Sequence, residues 1–287
     1  MNSSIYIPER FKRAIILHIV KNLMESNLYH GSLILGIHGP SGYGKTYQCE
    51  CVLKELGAEL FLISGGQLES GTAGEPAQIV RQAYINASRC IEQGKSKVAV
   101  VLINDIDTGL GNWGDKVQYT INRQTVFGEL MHIVDYPTMV EGRSTRRIPI
   151  IITGNDFTKL YEPLVRPGRM TAFEWDPTND EKTKILHGIY PELQIHECEK
   201  LIDELNKEIS CENFNFLSIA FFSYLRSTLI DGLLTKSIEE VGVTQAIDRI
   251  GEGREPIIHL TIRLQDIVES GKNLIHSGKL VNHLRGF

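Results

Sequence analysis

Eight residues in a row could grip a polyphosphate: Gly39, Pro40, Ser41, Gly42, Tyr43, Gly44, Lys45 and Thr46. Glycines at 39, 42 and 44 let the backbone wrap closely round an anion, with its N–H groups turned inward. A helix that starts at Lys45 would add the partial positive charge of its N-terminus. Lys45 has the reach for β- and γ-phosphates, and the Thr46 hydroxyl has the chemistry to hold Mg²⁺. Tyr47 follows and completes the candidate nucleotide-binding segment. A second set stands further on, at Asn104-Asp105-Ile106-Asp107, where Asp105 and Asp107 are candidate metal-side carboxylates. Asp107 is also open to a plainer reading, as a side chain capping the next turn.

Such chemistry needs a strand before the glycines and a helix after them. Residues 33–38 are an apolar run that reads as a buried strand. Cys49, Val52, Leu53 and Leu56 then recur at helical spacing, and Gly57 stands where a helix stops. That context separates a phosphate loop from a glycine-rich turn that happens to precede Lys-Thr. Residues 98–103 form a continuous β-branched run, the pattern of a strand buried on both faces in a parallel sheet. It ends at Asn104-Asp105, and α/β sheets bind ligands at the carboxyl ends of their strands. A similar run over 148–153 ends in Gly154-Asn155-Asp156.

The remaining pattern fills in around these strands. An entry helix is predicted within 6–24, after Pro8. Residues 60–64 read as a further strand and 65–74 as a glycine-rich loop. A helix opened by Pro76 follows, with Ile79, Ala83, Ala87, Cys90 and Ile91 on its inner face. Residues 108–116 read as a loop, 118–134 as a helix and 172–174 as a short strand. After Asp176 only helical patterns remain. They include a stripe of Cys198, Leu201, Ile202, Leu205 and Ile209, and a stretch over 214–234 so apolar that a buried helix is expected. One or two more helices are predicted within 258–284. The chain is therefore divided into an α/β nucleotide-binding domain, 1–176, and a helical domain, 177–287.

Composition narrows the function classes. The formal net charge of −5 argues against nucleic-acid binding by bulk electrostatics. The five cysteines include no Cys-x-x-Cys pair, so packed thiols in a reducing compartment are expected, and no zinc site. No uninterrupted apolar run has membrane-spanning length, because Arg226 breaks the longest. The first residues lack a signal-peptide pattern, so a cytoplasmic location is expected.

The order of parts resembles that of AAA+ ATPases: a phosphate loop, an acidic strand end, a strand ending in Gly-Asn-Asp, Arg-Pro-Gly-Arg at 166–169, and a helical region with a lone Arg. The longer stretches at 64–84 (SGGQLESGTAGEPAQIVRQAY), 103–111 (INDIDTGLG), 118–124 (QYTINRQ) and 148–170 (IPIIITGNDFTKLYEPLVRPGRM) resemble the Rubisco activase family. So does YIPERF near the start. The likeness is dense from residue 6 to about 189. It implies an αβα sandwich with a parallel five-stranded sheet and a C-terminal all-helical lid. It further implies ATP with Mg²⁺ between subunits of a hexameric ring, and ATP-driven release of tight-bound sugar phosphates from inhibited Rubisco. The chain shows no match to the extra N-terminal domain or small-subunit-like tail of some relatives.

The same resemblance assigns roles. Asn155 matches the polar sensor of the γ-phosphate or the attacking water; an Asn ending a strand is otherwise a turn residue. Lys45, Asp105, Asn155, Arg166 and Arg169 form the catalytic set, the two arginines serving the neighbouring subunit's ATP. Arg226 matches the lid arginine that senses nucleotide, with a side chain snorkelling to solvent as the alternative. Leu68, Glu69 and Trp113 fall where such rings grip a client. Asn104-Asp105 departs from the usual AAA+ Asp-Glu pair but matches the Asn-Asp-x-Asp pattern of Rubisco activases, whereas Thr108, Asn112 and Thr228 depart from the activase pattern. Two rival readings therefore stand beside Rubisco reactivation: an ATPase acting on another protein, and an ATP-binding scaffold with negligible turnover.

Overall fold

The computed structural model describes residues 6–24, 31–69, 72, 74–111, 120–210, 217–252 and 262–277. Helix α1 (Glu9–Leu23) precedes strand β1 (Ile34–His38), which leads through the glycine loop into α2 (Lys45–Glu55). Then come β2 (Glu59–Ser64), α3 (Glu75–Glu92), β3 (Ala99–Asn104), α4 (Ile106–Leu110) and α5 (Thr120–Asp135). The small strands β4 (Met139–Val140) and β5 (Arg143–Ser144) form an antiparallel pair before β6 (Ile150–Gly154), α6 (Glu162–Val165) and β7 (Met170–Glu174).

The sheet order is β2-β3-β6-β1-β7, and every pairing is parallel. This is the five-stranded α/β architecture that the resemblance implies. Residues of β3 and β6 are buried throughout, as their unbroken apolar runs require of strands covered on both faces. β2 is an edge strand, and Leu62 on it remains half exposed. Register places His38 beside Gly154 and Ile103 beside Ile152, so the ends of β1, β6 and β3 lie side by side.

One face of the sheet packs Val101, Ile103, Ile150 and Ile152 against Val80 and Tyr84 of α3 and Val126, Leu130 and Ile133 of α5. The inner face of α3 is thus centred on Val80, Tyr84 and Ala87, while Ile79, Ala83 and Ile91 lie at its margin. Tyr84 explains the rotation. Its ring is wholly buried, and its hydroxyl donates to Pro137 O at 2.8 Å while accepting the Ile148 N–H at 3.1 Å. An aromatic that buries its ring and satisfies its hydroxyl outweighs a marginal isoleucine. α1 packs its Phe11 ring edge-on to Phe173 and Trp175.

Two further expectations shift. Residues 108–110 are helical rather than loop, because α4 begins at Ile106 directly after Asp105 turns the chain in a left-handed conformation. Gly65–Leu68 is one 3₁₀ turn, closed by Ser64 and Gln67. Residues 70, 71, 73 and 112–119, including Asn112 and Trp113, lie outside the described residues.

The chain divides into the unit Ile7–Asp176 and a second unit that begins at Pro177 and takes in Tyr6. The second contains α7 (Asn179–Ile189), α8 (Ile195–Ser210), α9 (Ile219–Val241), α10 (Val243–Gly251) and α11 (Leu264–His276). A capping box of Thr178 and Glu181 starts α7. The stripe Cys198, Leu201, Ile202, Leu205 and Ile209 is buried along α8. Gly271 of α11 lets that helix approach it, since a Cβ there would stand 2.8 Å from Leu205 Cδ1. α9 corrects the expectation of a helix buried all round: only Ile219, Phe221, Phe222 and Leu225 are buried. At about 1.5 Å per residue, its 23 residues outrun the helices that cover its first turns. On α10, Val243, Ile247 and Ile250 are exposed. Among the described residues, no helix is long and apolar enough to cross a membrane.

Candidate active site at the strand ends

The glycine loop closes over the end of β1 in a shape that only glycine allows at three points. Gly39, Gly42 and Gly44 have positive φ. A Cβ on Gly39 would stand 2.1 Å from Trp175 O, so the close approach of two backbones sets this position. Gly44 caps α2 and its carbonyl accepts the Gln48 N–H at 2.9 Å. Pro40 and Ser41 are exposed, whereas Tyr43 is buried, and Tyr47 projects outward. The loop is therefore a tight backbone turn that runs directly into a helix N-terminus, a setting that suits an anionic ligand.

Lys45 lies under the loop with 6 % of its surface exposed. Its Nζ donates to Gly39 O at 2.8 Å, Pro40 O at 2.9 Å and Asn155 Oδ1 at 2.9 Å. Three acceptors saturate the ammonium group, and the third joins the loop to β6. Burial pulls its pKa below the usual lysine value, while Asp105 and Asp107 pull it back up. Phosphate oxygens could reach the ammonium group only by replacing the loop carbonyls that it now donates to.

The two carboxylates separate into different surroundings. Asp105 occupies the left-handed region with φ 50°, an uncommon conformation for an aspartate. Its side chain keeps solvent contact, yet partial burial raises its pKa, with Lys45 opposing and Asp107 adding to the rise. Asp107 is wholly buried. Its Oδ2 accepts the N–H groups of Asn155 at 2.8 Å and Asp156 at 2.9 Å. A Cβ on Gly154 would fall 2.7 Å from Asp107 Oδ1, so glycine is required where this carboxylate crosses β6. Asp107 thereby fixes the backbone that carries Asn155. Thr46 meets the same strand, its hydroxyl 3.3 Å from Thr153 Oγ1.

The arginines stand in a different kind of place. Arg166 is more than half exposed and forms a two-pronged pair with Glu162, one turn back, at 2.9 Å for each bond. Arg169 is more enclosed: it reaches Asp135 at 3.1 and 2.8 Å and Pro163 O at 2.9 Å. In the helical unit, Arg226 pairs with both oxygens of Glu192 at 2.8 and 2.7 Å, and its guanidinium lies 5.4 Å from the Tyr190 ring centre. That pairing holds the Glu192 carboxyl below the usual glutamate range. Leu68 corrects the expectation of a gripping residue: it is 1 % exposed and belongs to the core, leaving Glu69 at the surface.

Two contributors escape a reading by motif. Trp175 is wholly buried, its Nε1–H donates to Tyr43 O at 2.8 Å, and its backbone lies against Gly39. Thr153, inside an apolar run, touches Thr46, Asn104 and the Asp105 N–H. The lone polar residue in 148–153 was a signal for the second, and a tryptophan directly after the last strand for the first.

Comparison with known proteins agrees with this geometry. Residues 35–177 match the model of the family described as ATPase family associated with various cellular activities (AAA). Over 287 aligned residues the chain is 40% identical to a ribulose bisphosphate carboxylase/oxygenase activase of Nostoc sp., covering 95% of this chain and 66% of the relative. An activase of Anabaena sp. is 39% identical over 97% of this chain and 67% of its own length. The chloroplastic activase of Chlamydomonas reinhardtii is 36% identical over 98% and 68%. The chain thus spans about two thirds of the length of these relatives. The parallel sheet, the glycine loop at its strand ends and this degree of identity place the chain in the Rubisco activase family of AAA ATPases.

Proposed function

We propose that this chain hydrolyses ATP and uses the energy to remodel Rubisco, freeing it from tight-bound sugar phosphates. The observation that carries the reading is Lys45, buried beneath a preformed glycine loop and bonded to Asn155, in a chain 39% identical to an activase along 97% of its length.

The loop from Gly39 to Thr46 would take the triphosphate, with backbone N–H groups and Lys45 against its oxygens. Lys45 exchanges the carbonyls of Gly39 and Pro40 for phosphate, keeping one hydrogen bond's worth of neighbours at each proton. Mg²⁺ would be held by the Thr46 hydroxyl, with Asp105 and Asp107 as the nearby negative charges, and supplies neutralisation of phosphate charge when bound. Among the described residues no group of three or more His, Cys, Asp or Glu could hold a metal ion. Asp105, left-handed and solvent-facing, orients the attacking water, with Asn155 as its second polar contact.

Arg166 and Arg169 serve the ATP of the next copy in a homo-oligomeric, hexameric ring, and Arg226 reads the nucleotide from the lid. Arg166 is the better placed of the first two. It sits on an exposed turn and need release only Glu162, whereas Arg169 also ties Asp135 and Pro163 O. A cytoplasmic setting without nucleic-acid or membrane partners suits the acidic net charge.

The test is reactivation of inhibitor-blocked Rubisco by the purified chain with ATP and Mg²⁺. Recovery of carboxylation that depends on ATP hydrolysis supports the proposal. ATP turnover with no recovery at any protein concentration would leave the ATPase and reassign its client.

A further inference from the structure

Three residues of the site meet at the hydroxyl of Thr153. This side chain lies one residue before the end of β6 and is wholly buried. The Asp105 N–H donates to its Oγ1 at 3.2 Å. The same Oγ1 donates to Asn104 Oδ1 at 3.3 Å, and Thr46 Oγ1 stands 3.3 Å away. A hydroxyl has one proton and two lone pairs. The proton goes to Asn104 and one lone pair takes the Asp105 N–H. What remains is a lone pair, so Thr46 must be the donor in its bond to Thr153. The Thr46 proton then points at β6, and its own lone pairs are left for a cation.

We infer that Thr153 is a positioning residue: it accepts a hydrogen bond from the Thr46 hydroxyl, so that the Thr46 oxygen presents lone pairs to Mg²⁺, and it anchors the left-handed Asp105. A threonine hydroxyl whose proton faced the cation would be repelled by it. A carboxylate at position 104 could accept that proton directly, but this chain has an amide there, Asn104. Thr153 supplies the missing acceptor from the neighbouring strand. The inference rests on the nucleotide reading above only for the identity of the cation. The hydroxyl node itself belongs to the chain.

The experiment is calorimetric titration of ADP, with and without Mg²⁺, into wild type, Thr153→Val and Thr153→Ser. ADP affinity without Mg²⁺ should stay within about twofold across all three. The tightening that Mg²⁺ brings should fall about tenfold in Thr153→Val, the scale of one lost hydrogen bond at a charged site, and return in Thr153→Ser. Asn104→Asp added to Thr153→Val should also restore it. A second readout uses nucleotide-free protein: the Asp105 amide proton resonance should move in Thr153→Val and stay in Thr153→Ser. Unchanged Mg²⁺ tightening in Thr153→Val, or an unmoved Asp105 amide, overturns the inference. A wild type that binds no ADP would instead defeat the nucleotide reading, with the amide resonance still deciding the node. If Thr153→Val does not fold, Thr153→Cys takes its place, with a partial loss expected and full tightening counting against the inference.

Discussion

The strand ends and the arginine-bearing segments of this chain solve the same problem, placing charge, in opposite ways. At the strand ends, Lys45 bonds to Asn155, the Asn155 N–H bonds to Asp107, and Thr46 meets Thr153, so that α2 and α4 are tied to the end of β6. Their partners are distant in sequence, and most are buried. Arg166, by contrast, rests on a glutamate one turn away at the surface, in a pair that contributes little in water. Arg226 rests on Glu192 in the same helical unit. The first arrangement is preorganised and complete within one chain. The second holds its cations on carboxylates that a phosphate could replace, which suits a group that acts elsewhere.

That contrast is open to direct attack. The largest effect is expected from Arg166→Ala, which should lower ATP turnover by about a thousandfold or more if the residue acts as an arginine finger. Glu162→Ala, which frees the same arginine, should not lower it. Lys45→Ala should cost about a hundredfold to a thousandfold, as loss of one buried donor to a developing charge does. Mixing the two inactive variants sharpens the comparison. Turnover should reappear, because some interfaces then hold an intact Lys45 from one copy and an intact Arg166 from the next. If mixtures stay as inactive as their parts, both residues work within one chain and the contrast fails.

Two smaller effects probe the buried side alone. His18 on α1 is buried against β6, its Nε2 3.1 Å from Ile150 O, and burial lowers its pKa to about 4 from an ordinary 6.5. The folded state therefore disfavours the protonated ring. The stability this gives is present in full above pH 6.5 and is lost as pH falls from 6.5 towards 4. The loss is on the order of 3 kcal/mol, and denaturant midpoints across that range should show it. His18→Gln should flatten the slope. The smallest expected effect concerns Asp105, whose pKa is raised by partial burial and further by Asp107. Asp107→Asn removes a neighbouring negative charge, so the acid limb of the pH–turnover profile should move to lower pH. A limb that moves to higher pH would separate Asp107 from the charge balance at Asp105.

Much of the buried side was legible in the residue order. The unbroken apolar runs of β3 and β6, and the glycine loop between β1 and α2, follow from periodicity and turn chemistry that act locally. What escaped depends on tertiary contact. The half-exposed edge position of β2 is set by what it pairs with, not by its own apolar residues. Tyr84 rotates α3 because Pro137 and Ile148, far along the chain, meet its hydroxyl. Leu68 lies in a stretch resembling a surface loop, yet it is core, because a single 3₁₀ turn folds it inward. In the helical unit the apolar run of α9 promised burial, but its length carries it past the helices that cover its start. The bonds at Thr153 and Trp175 could not be read from either motif, since neither residue belongs to one.

The claim on which the account turns is that ATP is split at a site finished by a second copy of the chain. Turnover per chain, followed as wild-type protein is diluted from the oligomer to the monomer, tests it most directly. The account predicts that turnover per chain collapses in step with loss of the oligomer, and that Arg166→Ala shows the low monomer rate at every concentration. Turnover per chain that stays constant down to solitary molecules would contradict it.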